Sequence, residues 1–126
     1  MGMRVFKNTW FTRFADKEEI TDGELRKIVN QLEAGHADAD LGGGVYKMRV
    51  ARPGEGKSGG YRVIVFFRSE ERTFYQYAYP KSSRGNIDQG ELRFYKKIAK
   101  AKFAMSDHEL ADAVNTGELI EIEEAV

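Results

Sequence analysis

Apolar and polar residues alternate most clearly in two runs, Val45–Ala51 and Tyr61–Arg68, with a third at Thr73–Tyr79. Alternation with period two is the signature of a strand with one buried and one solvated face. In the first run Tyr46, Met48 and Val50 share one face, and Lys47 and Arg49 share the other. In the second, Tyr61, Val63, Val65 and Phe67 alternate with Arg62, Ile64, Phe66 and Arg68. Ser69–Arg72 is short enough for a hairpin turn, and a glycine-rich stretch joins the first two runs. Before this meander, Arg4–Lys7 predicts a short strand and Asn8–Ala15 a helix, with Trp10, Phe11 and Phe14 at helical spacing. Thr21-Asp22-Gly23-Glu24 reads as a capping box opening a second helix to Ala34, which Gly35 ends. The stretch His36–Gly44 reads as a loop. After the meander comes a polar loop, Pro80–Gly90, and a helix from Gln89 to Phe103. Leu92, Tyr95, Ile98, Ala99 and Lys102 form one stripe of that helix. Ser106-Asp107-His108-Glu109 opens a short helix to Asn115, and Leu119–Glu123 is either a last strand or a mobile tail. The expected fold is α+β: two N-terminal helices, a curved antiparallel sheet of three to four strands with helices on one face, and C-terminal helices.

Charge changes this picture more than composition does. The 126 residues suit one compact domain, and 41% hydrophobic content excludes global disorder. The absence of cysteine excludes disulfides and thiolate metal sites and fits a reducing cytoplasm. No apolar run near the start reads as a signal peptide or membrane span. Net charge is zero, yet residues 44–103 hold 14 Lys/Arg against 5 Asp/Glu, and residues 104–126 hold 7 acids and no Lys or Arg. A basic body beside an acidic tail suits a polyanion ligand, although a solvated basic helix and an acidic terminus would give the same counts.

The chemistry-bearing motifs are few. Residues 51–58, ARPGEGKS, approach the phosphate-loop pattern with Ala51 in place of its first glycine. That pattern needs a helix directly after Lys-Ser, whereas here Gly59-Gly60 leads into a strand. His36 and His108 have no spacing partner for a metal, and both read as surface residues. What remains is the cation set Lys47, Arg49 and Arg62 on one sheet face, with Arg52 and Lys57 on the connecting loop. RNA carries its own nucleophile, the 2′-hydroxyl, so cations that align it and manage charge suffice for cleavage. Lys47 is the candidate base or phosphorane stabiliser. Plain nucleic-acid binding by the same patch is the alternative.

Residues 45–64 (VYKMRVARPGEGKSGGYRVI), 77–87 (YAYPKSSRGNI) and Glu91-Leu92 together resemble the RelE/HigB superfamily of type II toxin–antitoxin toxins, most closely its HigB-like branch. The resemblance covers about residues 4–103. It implies a toxin domain at 1–103 with an acidic extension at 104–126. It also implies a cytoplasmic, ribosome-dependent mRNA endonuclease with no cofactor or metal. The implied partners are mRNA, the ribosome and a cognate, helix-turn-helix antitoxin, with no membrane. Lys47, Arg49, Arg62 and Lys81 take the catalytic and phosphate-binding roles, and Arg52, Lys57, Arg84 and Tyr95 contact RNA. Where the family has a base-orienting tyrosine this chain has Asn86 and Ile87, and Ser82 replaces an arginine. Those roles pass to Tyr95 or Arg84 or go unfilled. The related ParE class, which inhibits gyrase by protein contact, and a non-catalytic RNA- or antitoxin-binding module are the competing readings.

Overall fold

The computed structural model describes residues 3–52, 56–83 and 85–123, with backbone alone at 52 and 56–59. The elements run β1 (Arg4–Asn8), α1 (Thr9–Glu18), α2 (Asp22–Glu33), β2 (Ala39–Gly42), β3 (Val45–Arg52), β4 (Gly56–Arg68), β5 (Arg72–Pro80), α3 (Gln89–Phe103), α4 (Asp107–Asn115) and β6 (Leu119–Ile122). The fold is α+β, as the patterning predicts. The helix starts follow from local chemistry. Asn8, Thr21, Asp88 and Ser106 each accept a hydrogen bond from the backbone N–H three residues on, which satisfies an otherwise orphaned helix donor.

The sheet departs from expectation in two ways. It has six strands in the order β2-β3-β4-β5-β1-β6 rather than three to four. The first strand also lies parallel to β5, with Phe6 beside Phe74. Helices cover both faces rather than one. On one face Met48, Val63, Val65, Phe67 and Tyr75 pack with Phe11 of α1 and Leu25, Ile28 and Leu32 of α2. On the other, Ile64, Phe66 and Phe74 pack with Tyr95, Ala99 and Phe103 of α3 and Leu110 of α4. The reason lies in β4. Every residue from Val63 to Phe67 is apolar and at most 6% exposed, so neither face can be left to water.

The segment read as a phosphate-loop mimic becomes strand. Because β4 starts at Gly56, Lys57 and Ser58 lie on extended backbone, and no helix follows to receive a phosphate. Near its start the hairpin is tight. A Cβ built on Gly60 would lie 2.1 Å from the Val50 carbonyl oxygen and 3.1 Å from the Ala51 Cα. Both obstacles are backbone, so Gly60→Ala must part the two strands. We expect it to cost more than the ~1–3 kcal/mol of ordinary overpacking, read as a lower thermal midpoint. A midpoint within error of the parent would refute this account of the hairpin.

Tyr75 ties β5 to α2. Its hydroxyl donates to the Leu25 carbonyl, and burial holds its phenol well above the usual range. The folded state therefore favours the neutral ring. That stability is present below the ordinary phenol range near pH ~10 and is lost as pH rises through it. Tyr75→Phe should flatten the alkaline fall in stability and cost roughly 0.5–1.5 kcal/mol at neutral pH. Urea unfolding at several pH values reads both effects.

Candidate phosphate-binding face

Register decides which cations meet. Arg49 lies directly opposite Arg62 on β4, and Arg62 lies opposite Tyr79 on β5. One row further along, Lys47 faces Ile64, which faces Tyr77. Side chains two apart on a strand share a face, so Lys47, Arg49 and Arg62 stand together as their parity predicts. This is the sheet face that α3 covers, near the end where α3 begins.

Two like charges directly opposite on paired strands destabilise a sheet. For Arg49 the structure supplies an acid. Asp38 accepts from the Arg49 backbone N–H at 2.6 Å, and its other oxygen stands 3.5 Å from the Arg49 Nε. No acid interleaves the row itself; Asp38 reaches it from the strand edge. The sequence signal was there, an Asp two residues after His36, but that stretch read as a loop. Its last part instead forms β2, which pairs Ala39 with Lys47. Lys47 is also held: its Nζ donates to the Asn86 Oδ1 at 2.8 Å. Asn86 entered the sequence reading only as a missing tyrosine, and the structure makes it the partner of a candidate catalytic lysine.

Arg62 differs from both. It is half-buried, and its Nη1 is shielded from solvent and has no hydrogen-bond partner among the described residues. A buried guanidinium N–H without an acceptor is costly and calls for an explanation. An anion seated on this face would provide one.

The other candidates divide. Lys81 is exposed at the end of β5, where its backbone N–H donates to the Gly60 carbonyl at 3.0 Å. Arg84 lies outside the described residues, as do the side chains of Arg52 and Lys57. Tyr95 does not offer a stacking surface. Its ring is 7% exposed and tilted against Phe66, with centroids 6.4 Å apart. The helical stripe to which it belongs faces the sheet and makes it part of the core. Ile87, beside Asn86, packs on the same core cluster.

No group of three or more metal-ligating side chains occurs among the described residues. No helix among them is long and apolar enough to cross a membrane.

The family model described as "RelE toxin of RelE / RelB toxin-antitoxin system" matches residues 3–122. This chain belongs to the RelE toxin family. The match runs through α4 and β6 as well as the sheet and α3, and membership implies an antitoxin partner. Within this RelE chain two acids of the final segment pair away from the cations. Glu121 bonds to Arg4 at 2.9 Å and Asp107 to Arg72 at 3.2 Å. Arg4 and Arg72 are register partners at the opposite end of the strands from Arg62.

Proposed function

We propose that this RelE-family chain is a cytoplasmic toxin that halts translation by cleaving mRNA on the ribosome. The observation that carries the reading is the row Arg49–Arg62 beside Lys47, with one guanidinium N–H of Arg62 buried and unsatisfied. A scissile phosphate on this face gives Arg62 its missing acceptor. The RNA 2′-hydroxyl attacks the adjacent phosphorus and a cyclic phosphate forms. The bond to the 5′-oxygen breaks, and that oxygen takes up a proton from water to replace the one the 2′-hydroxyl releases to Lys47 or to solvent. Arg49 and Arg62 neutralise the charge that builds on the phosphorane. Lys47, oriented by Asn86, takes either the hydroxyl proton or part of that charge. Lys81 adds a further cation at the rim. Chemistry stays within residues 1–103, and residues 104–126 serve as an acidic extension whose β6 strand, Leu119–Ile122, lies at the sheet edge. The antitoxin, of helix-turn-helix type and HigB-like pairing, would neutralise the same face.

The test is induced expression in bacteria, followed by mapping of mRNA 5′ ends and of chromosomal breaks. We expect arrested growth with new mRNA ends inside codons on translated messages. Intact mRNA with broken DNA would overturn this in favour of a gyrase-directed toxin. Growth arrest with neither would favour a binding module without chemistry.

A further inference from the structure

Arg49 belongs to two surfaces. Besides its place opposite Arg62 on the α3-covered face, it lines a cavity of about 550 Å³ on the α2 side of the open β3 edge, where β2 has not yet begun and Asp38 holds Arg49 at the rim between the two faces. Met48 forms part of the lining, with Ala37 and Ala51, and Gln31 and His36 add polar groups. The wall is a built turn. Gly35 takes a φ of 83°, and the His36 backbone N–H donates to the Gln31 carbonyl at 2.8 Å. Neither the Gln31 amide nor the His36 ring has a side-chain hydrogen-bond partner among the described residues, whereas both Asp38 oxygens are taken up by Arg49.

We propose that this cavity is a nucleobase subsite for the nucleotide whose phosphate sits on the Arg49–Arg62 row. The inference rests on the RNA-cleaving reading of that row. A nucleobase is planar, with apolar faces and an edge of hydrogen-bond donors and acceptors. The cavity matches both features: Ala37 and Ala51 meet the faces, with the buried Met48 (1% exposed) forming the floor beneath them, while Gln31 offers one donor and one acceptor group and His36 a second polar contact. Its volume falls in the ~300–1,000 Å³ range of small-molecule sites. Asp38 has a positioning role here, since it holds the Arg49 guanidinium between phosphate row and cavity. His36, which reads from sequence as a surface residue, becomes part of a recognition wall.

The experiment uses the full chain labelled with ¹³C at its methionine methyls, titrated with adenosine 3′-monophosphate and with base-free ribose 5-phosphate. The nucleotide should shift the Met48 methyl and bind at least about tenfold tighter than the sugar phosphate. Ala51→Phe, which fills the cavity from an exposed position, should erase that advantage and leave ribose phosphate binding unchanged. Gln31→Ala, on the exposed side of α2, should reduce it without filling the cavity. Equal binding of the two probes, an unmoved Met48 methyl, or no nucleotide binding below roughly 10 mM would each overturn the subsite. If expression leaves mRNA intact while the nucleotide keeps its advantage, the cleavage reading fails and the base subsite stands.

Discussion

Deleting residues 104–126 is expected to yield a chain that no longer folds cooperatively. The segment looks expendable in one dimension because it is short, acidic and terminal. In the structure it supplies Leu110, Leu119 and Ile122, which are 0%, 2% and 4% exposed. Burying each side chain of this size contributes about 1.5–3 kcal/mol, so the three together approach the whole stability of a typical domain, ~5–15 kcal/mol. The deletion also strips β6 from β1, where Val5 pairs with Ile122 and Asn8 with Leu119. Circular dichroism and urea unfolding of the truncated chain check the outcome. Leu110→Ala, expected to cost roughly 2–5 kcal/mol, gives a graded version in a chain that still folds. An alternative role for the acids, screening the cationic face, requires them to lie near it. Asp107 and Glu121 instead pair with Arg72 and Arg4. From Arg72 to Tyr79, opposite Arg62, is about seven residues of strand, or roughly 20 Å. That exceeds two Debye lengths at physiological salt, each about 8 Å. A truncated chain that unfolded cooperatively and bound RNA more tightly would contradict this account.

Arg62→Ala should abolish most of the toxicity while leaving the fold intact. A charge-assisted hydrogen bond is worth about 1.5–3 kcal/mol, which corresponds to ~10–150-fold in phosphate binding or cleavage rate. The same change removes a guanidinium facing Arg49 and a buried N–H with no partner, so thermal stability should hold or rise. Opposite movement of activity and stability is the diagnostic feature. A merely structural arginine would lose both together. Arg62→Lys keeps the charge but not the planar fork that matches a phosphate, and intermediate activity is expected. Survival of cells expressing the variant, with mRNA end mapping and a thermal melt of the purified protein, reads all three quantities. Full toxicity in Arg62→Ala would remove this residue from the site.

What the sequence by itself determined are the features set within a few residues. The capped starts of α2 and α4, the hairpin at Ser69–Arg72 and the shared parity of Lys47 and Arg49 all rest on neighbours close along the chain. Parity with Arg62 was legible too, because a hairpin leaves few registers that bury Met48 and Val63 together. The family resemblance added Lys81, Arg84 and Tyr95 to the candidates and gave the cations their catalytic assignment. What only the tertiary structure decided are pairings between distant segments, for which local patterning carries no information. Lys7 reads as the end of a short strand, yet it is 7% exposed with its Nζ 3.0 Å from Asp22 of α2. The parallel pairing of β1 with β5, the closing of the edge by β6 and the cover on both sheet faces are of this kind. So are the contacts that shape the site. Asp38 reaches Arg49 because β2 folds back on β3, and Asn86 reaches Lys47 because the chain crosses the face before α3 starts. Tyr95 read as an RNA contact on a helical stripe, and its burial against Phe66 makes it core instead. Short polar residues in loops have no periodicity to reveal them, so their partners emerge only when the chain is folded.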